Sequence, residues 1–101
     1  MQSEFPIFLI NLDRSVERLA LAQARFDRLG RSFQRIAAVD GRTLSPELGQ
    51  TPAILRFMGR ALSPGEIGCI HSHHRAAEAL LATGAPYGLV MEDDADPKPE
   101  L

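Results

Sequence analysis

The sequence predicts an α/β fold, a Rossmann-like parallel sheet with flanking helices. Continuous apolar runs, typical of strands that are buried on both faces, occur at residues 6–12 and 87–92. Helical segments separate the strand candidates, so that strand, helix, strand, helical connection and strand follow one another along the chain. This order is typical of parallel strands joined by right-handed crossovers.

Composition supports a single domain over residues 1–101. The chain is 45% hydrophobic and 24% charged, which suits one globular core. Its net charge of −2 and scattered basic residues argue against a nucleic-acid partner. Cys69 has no second cysteine to pair with, and no apolar run reaches the roughly 18 residues that a membrane helix needs. Because the first residues also lack the basic region of a signal peptide, we expect a cytoplasmic location.

The first strand is predicted over residues 6–12, where large and β-branched apolar residues are frequent. An amphipathic helix is predicted over 14–29, with Asp13 as its cap and Gly30 as a left-handed residue at its end. Its apolar positions recur at helical spacing: Val16, Leu19, Ala22, Phe26 and Leu29. The second strand is predicted over 33–39.

After the turn-forming pair Asp40-Gly41 the signals weaken, and we expect a loop with one short helix over residues 52–57. A longer helix is predicted over 64–82, because Ser63 and Glu66 have the spacing of a capping box. Gly84 can end this helix, and the third strand then covers 87–92.

Polar side chains follow each predicted strand. Asn11 and Asp13 follow the first, Asp40 the second, and an acidic run over residues 92–96 the third. Ligands in parallel sheets bind beyond the carboxyl ends of the strands, so we expect these groups to meet at one edge. For the acidic run, the alternative is a solvated strand end that caps a turn. Asp40 could likewise be only a turn residue.

Basic and nucleophilic side chains offer further candidates. Arg14 and Arg18 are four residues apart near a helix start, where they could bind a diphosphate; the alternative is that both are ordinary exposed arginines. His71 and His74 could touch one metal ion, but no cysteine or carboxylate spacing supports a zinc site, so we expect them to be surface or core residues. Cys69 is expected to be a small buried side chain and not a nucleophile.

Four blocks of the sequence closely resemble glycosyltransferase family 25, which includes bacterial lipopolysaccharide and lipooligosaccharide glycosyltransferases and related collagen galactosyltransferases. The blocks occur in the family's order and cover nearly the whole chain: residues 8–18, 35–41, 62–69 with Ser72-His73, and 91–95. Four ordered blocks are far more specific than an acidic triplet alone.

The resemblance implies the nucleotide-binding half of a GT-A-like fold and transfer of a hexose, often galactose, from a UDP-sugar donor to a saccharide or lipopolysaccharide acceptor. The acidic block would hold a divalent cation, Mn²⁺ or Mg²⁺, against the donor diphosphate, and oxygen ligands suit both ions. Asp94 is two residues from Glu92 and from Asp96, so either pair could share a face if the chain stays extended. The predicted metal ligands are therefore Glu92, Asp93, Asp94 and Asp96, with Asp94 preferred. The predicted donor-binding residues are Asn11, Arg14, Arg18, Asp40, Ser72 and His73.

The catalytic residues stay unassigned, because in this family the general base and the acceptor contacts are expected beyond the acidic block. Only residues 97–101 follow that block, so we expect an amino-terminal, truncated domain that binds donor and metal but is inactive alone. Two other functions stay open: a non-catalytic nucleotide-binding or interaction module, and a receiver-type phosphoacceptor, for which the chain offers only Asp13 and Lys98. Peripheral membrane association and self-association through an unpaired sheet edge are also open.

Overall fold

A computed structural model describes residues 5–97 and confirms the predicted α/β class. Three parallel strands are joined by helical connections. The strands are β1 (Ile7–Asn11), β2 (Gln34–Ala37) and β3 (Leu89–Glu92), and the helices are α1 (Val16–Arg28), α2 (Pro52–Met58) and α3 (Pro64–Thr83). Two short 3₁₀ turns, Gly41–Thr43 and Pro46–Gly49, lie between β2 and α2. Within residues 5–97, no helix is long and apolar enough to cross a membrane.

The sheet has the order β2-β1-β3, with β1 at its centre. Ile10 of β1 lies opposite Ile36 of β2 and Glu92 of β3, so all three strands end at the same edge. Every residue of β1 is buried, because helices cover both faces of this strand.

Two apolar clusters form the core, one on each face of the sheet. The first packs α1 against the sheet and contains the buried residues Ile7, Leu9, Ala22 and Phe26. The second packs α3 against the other face and contains Phe8, Ile10, Ile36 and Ala76. Successive residues of β1 alternate between the two clusters, as the pleat of a strand requires.

The capping box of α3 is confirmed. The Ser63 side chain accepts a hydrogen bond from the Glu66 amide at 3.2 Å, and the Glu66 carboxylate accepts one from the Ser63 amide at 2.8 Å. Gly84 follows the helix in the left-handed conformation, with φ of 74°. Gly30, with φ of 67°, has the same role after α1. Both helix ends were predictable because each depends on a local residue pattern.

The start of α1 was predicted too early. The Ser15 amide bonds to the Leu12 carbonyl, so the chain makes a turn before the helix begins at Val16. Ser15 is the N-cap residue, and Asp13 instead accepts a hydrogen bond from Arg35 at 2.6 Å. Val16 is 68% exposed and does not join the apolar face of the helix. β3 also begins two residues later than predicted, at Leu89.

Two glycines let α3 approach the segment that follows β2. A Cβ atom on Gly41 would overlap the carbonyl oxygen of Pro64, and one on Gly68 would lie 2.6 Å from the carbonyl oxygen of Val39. Neither obstacle is a movable side chain. The first turns of α3 can therefore reach the carboxyl edge of the sheet only because both positions are glycine.

Candidate functional site

A cavity of about 420 Å³, hereafter the edge cavity, lies at the carboxyl ends of the strands. Its walls come from the segments after β1 and β2, the first turns of α3 and the end of β3. Seven of the predicted site residues line it: Arg14, Arg18, Asp40, Ser72, His73, Glu92 and Asp93. Residues as far apart in the sequence as Arg14 and Asp93 thus line one cavity, as the parallel topology predicts. Asn11, Asp94 and Asp96 are not in its wall.

Asp93 is buried and anchors the end of β3 to β1 and α1. One of its carboxylate oxygens accepts a hydrogen bond from the buried Asn11 amide at 2.8 Å, and the other accepts one from Arg18 at 3.3 Å. The Asn11 side chain also accepts a hydrogen bond from Arg35 at 3.0 Å. Both oxygens of Asp93 therefore already have protein partners. The main role of this carboxylate is to hold the wall of the edge cavity in place.

Asp40 holds two arginines at the opposite side of the edge cavity. Its carboxylate accepts hydrogen bonds from Arg42 at 2.8 Å and from Arg14 at 2.7 Å, and it caps the 3₁₀ turn through the Arg42 amide. The Arg42 side chain, then its amide, and then Arg14 hold the pKa of Asp40 well below its ordinary range. Arg42 was not predicted as a site residue, although it follows the Asp-Gly turn directly.

The acidic run does not continue as a strand. β3 ends at Glu92, and the Ala95 amide bonds back to the Glu92 carbonyl at 3.0 Å, which closes a turn. Side chains two apart share a face only in an extended chain, so the predicted pairing of Asp94 with Glu92 or Asp96 lacks its geometric basis. Glu92 faces the edge cavity, Asp94 is exposed to solvent, and Asp96 lies 3.8 Å from Arg25.

Two adjacent residues of α3, Ser72 and His73, differ in their environments. Ser72 is buried; its hydroxyl donates a hydrogen bond to the Gly68 carbonyl at 2.7 Å and accepts one from the Val39 amide at 2.8 Å. It thereby ties α3 to the end of β2. His73 is exposed, and its Nε2 atom lies 3.4 Å from a Glu92 carboxylate oxygen. Only His73 is oriented to meet a ligand.

Cys69 lines the edge cavity and is exposed, so the expectation of a buried thiol was wrong. Cys69 and Ala76 are two helical turns apart and lie on nearly the same face of α3; Ala76 packs against the sheet, whereas Cys69 belongs to the first turns, which line the edge cavity beyond the strand ends. Neighbouring protein atoms raise the pKa of its thiol by removing water, and the Glu92 carboxylate raises it further. The thiol is therefore poorly suited to act as a nucleophile at neutral pH.

A hard divalent cation fits part of the acidic run. Asp94 makes no hydrogen bond or ion pair within residues 5–97, and the Glu92 carboxylate has only His73 and Cys69 close to it, so both keep oxygen atoms for a ligand. Mg²⁺ and similar ions commonly bind one or two carboxylates together with substrate phosphates. The acidic run thus suits an ion that is shared with a phosphate, and not one enclosed by protein.

Comparison with known proteins gives a consistent result. The model of glycosyltransferase family 25 (LPS biosynthesis protein) matches residues 4–100. A glycosyltransferase 25 family member of Aedes aegypti is 36% identical over 95 residues, and one of Drosophila pseudoobscura pseudoobscura is 34% identical over 95 residues. The mouse inactive glycosyltransferase 25 family member 3 is 34% identical over 99 residues. No solved structure matches.

These alignments cover 87% of this chain, but the chain spans only about 15–16% of the length of these relatives. The family model matches nearly all residues of the chain. The chain belongs to glycosyltransferase family 25.

Proposed function

We propose that this chain forms the donor-binding part of a glycosyltransferase that transfers a hexose, with galactose as first candidate, from a UDP-sugar to a saccharide or lipopolysaccharide acceptor. The observation that carries the proposal is the edge cavity, where arginines and carboxylates from distant segments meet beyond the strand ends. Its volume of about 420 Å³ is within the range of small-molecule sites.

Arg14 and Arg18 are the proposed diphosphate contacts. Both line the edge cavity and are more than half exposed, with their guanidinium groups held by Asp40 and Asp93 respectively. An arginine that is held by one carboxylate keeps further N–H donors for a phosphate. Asp40 is the proposed contact for ribose or uracil, and His73 lies where the donor would meet α3. Asn11 and Ser72 would act as positioning residues, because both are buried and bonded within the fold.

The charge of the edge cavity supports a requirement for a cation. Three arginines line it, and three carboxylates, those of Asp40, Glu92 and Asp93, balance them. A bound diphosphate would leave the site with excess negative charge. A divalent ion, Mn²⁺ or Mg²⁺, held by Glu92 in the edge cavity and reached by Asp94 from the turn that follows β3, would offset that charge and the charge that develops on the departing diphosphate.

Calorimetric titration of UDP with and without Mn²⁺ tests this proposal. Mn²⁺ should strengthen UDP binding, and Glu92→Gln and Asp94→Asn should each weaken the Mn²⁺-dependent binding about tenfold or more, because each removes a charged ligand. Glu78→Gln is the matched control, since Glu78 lies on the outer side of α3 beside His74. The proposal is wrong if UDP does not bind under either condition.

A second candidate is a module that binds nucleotide without catalysing transfer. The observation that favours it is the similarity to a mouse relative that is named inactive, with 34% identity. Incubation of the chain with UDP-galactose and a saccharide acceptor separates the two functions: metal-dependent UDP binding without release of UDP from the sugar nucleotide supports the non-catalytic module. The cytoplasmic location and peripheral membrane association stay predictions.

A further inference from the structure

Three side chains with different ligand chemistry meet at one wall of the edge cavity. Cys69 and His73 are four residues apart on α3 and therefore share a face of the helix. Glu92, the last residue of β3, lies beside them. One ligand atom from each residue lies within 4.8 Å of the other two, and all three residues are exposed, so an ion could reach them from solvent. Within residues 5–97, this is the only group of three such ligands.

The chemistry of this group differs from that of the acidic run. Thiolate and imidazole are preferred by borderline metals such as Zn²⁺ and Co²⁺, whereas Mg²⁺ and Mn²⁺ favour oxygen ligands. Bond lengths of about 2.0–2.3 Å place the ligand atoms of a tetrahedral zinc ion roughly 3.5 Å apart. The Nε2 atom of His73 and a carboxylate oxygen of Glu92 are already 3.4 Å apart. The Cys69 sulfur lies within 4.8 Å of both atoms, so it is at most about 1.3 Å farther from them than a tetrahedral zinc ion requires.

We propose that Cys69, His73 and Glu92 form a binding site for a borderline transition-metal ion, with Zn²⁺ as the best match. The protein would supply three ligands, and the fourth position would open into the edge cavity. A dication would favour the thiolate and release a proton, so affinity should rise with pH.

This proposal does not depend on the donor-binding proposal, but the two share Glu92. A Zn²⁺ ion at this site would use a carboxylate that we assign to the Mn²⁺–donor complex. Zn²⁺ should therefore compete with Mn²⁺-dependent UDP binding instead of supporting it. Cys69 belongs only to the proposed Zn²⁺ site, and Asp94 belongs only to the proposed Mn²⁺–donor site. Substitution of either residue therefore tests one site separately.

Titration of the full chain with Co²⁺, followed by absorption spectroscopy, tests the site. We expect a thiolate-to-cobalt charge-transfer band in the near ultraviolet and visible bands as intense as those of tetrahedral cobalt, both saturating at a single equivalent and both removed by Zn²⁺. Cys69→Ser should abolish the charge-transfer band. His73→Gln should weaken Co²⁺ binding by about 100-fold or more, since loss of an outer-shell partner alone typically costs 10- to 100-fold.

His74→Gln is the matched control, because His74 is exposed on the same helix and lies 3.7 Å from Glu78, with no place in the proposed site. This variant should titrate as the wild type does. Absence of the charge-transfer band in the wild type would overturn the proposal, as would unchanged affinity in both His73→Gln and Glu92→Gln. Asp94→Asn should keep the cobalt band, and Cys69→Ser should keep Mn²⁺-dependent UDP binding, so failure of one site is distinguishable from failure of the other.

Discussion

Asp93 and Asp94 are adjacent in the sequence but have opposite environments. Asp93 is 8% exposed and uses both carboxylate oxygens within the protein, whereas Asp94 is exposed. The difference arises because the chain turns directly after β3, which directs one side chain inward and the next toward solvent. Of the three consecutive acidic residues, Asp93 thus stabilises the fold, whereas Glu92 and Asp94 keep carboxylate oxygens for a ligand.

Replacement of Asp93 should destabilise the protein far more than replacement of Asp94. Asp93→Ala leaves the buried Asn11 amide and Arg18 without their acceptor, so we expect the free energy of unfolding to fall by about 2–3 kcal/mol. Asp94→Ala should change it by less than about 0.5 kcal/mol. Urea denaturation followed by circular dichroism measures both. Equal losses in the two variants would contradict the assigned environments.

The sequence was sufficient to find most of the charged side chains of the edge cavity. Arg14, Arg18 and Asp40 follow strands or begin helices, and such positions converge in any parallel sheet. Two properties could not be predicted. The turn at Glu92 depends on the tertiary contacts of Asp93, and the exposure of Cys69 depends on how far the first turns of α3 extend beyond the strand ends. The four-residue spacing of Cys69 and His73 places both on one helix face, but only the fold brings Glu92 beside them.

The close approach of Gly68 in α3 to Gly41 explains how the first turns of this helix reach the edge cavity. Gly68→Ala places a methyl group 2.6 Å from the Val39 carbonyl and 2.7 Å from the Gly41 amide nitrogen, and backbone atoms cannot rotate away. We expect a loss of about 3 kcal/mol in the free energy of unfolding. Gly65→Ala is the control, because its new methyl group would meet nothing closer than 3.9 Å and alanine favours the helix. Denaturation midpoints that fall equally in the two variants would rule out the close contact as the cause.

The capping box predicts a specific response to acid. Arg60, and then the Ser63 amide, lower the pKa of Glu66 from 4.5 to about 2. A carboxylate whose pKa is lowered by folding stabilises the fold at pH values above its pKa in the unfolded chain. This contribution is lost as the pH falls from about 4.5 to about 2. Glu66→Gln lacks the contribution at every pH. The melting temperature of the wild type should therefore decrease more steeply than that of the variant across this interval, and parallel curves would refute the assignment.

Helix ends were predicted better than strand ends. Gly30, Ser63 and Gly84 act through their own backbone or side chains, so their local pattern is sufficient. Strand ends depend on where the neighbouring strand stops. β2 was predicted over 33–39, but it pairs with β1 only over Gln34–Ala37, because β1 itself ends at Asn11.

At the scale of the whole molecule, β1 is common to both apolar clusters. Leu9 packs toward α1 and Phe8 toward α3, so neither cluster can separate from the sheet without exposing its own face of the same strand. We expect one cooperative unfolding transition. Far-UV circular dichroism and the fluorescence of Tyr87, the only tyrosine, should give coincident curves. Two separate midpoints would show that the two layers unfold independently.

The central strand of the sheet is also made before both of its partner strands. During translation, Ile7–Asn11 leaves the ribosome long before Leu89–Glu92, the partner on one of its two sides. The early α1 and β2 can dock against β1, but its other edge stays open until β3 emerges, and contacts that distant in sequence form slowly. Ribosome-associated factors that shield unpaired strand edges should therefore stay bound longest at the open edge of β1. A translational pause before residue 89 should prolong this binding.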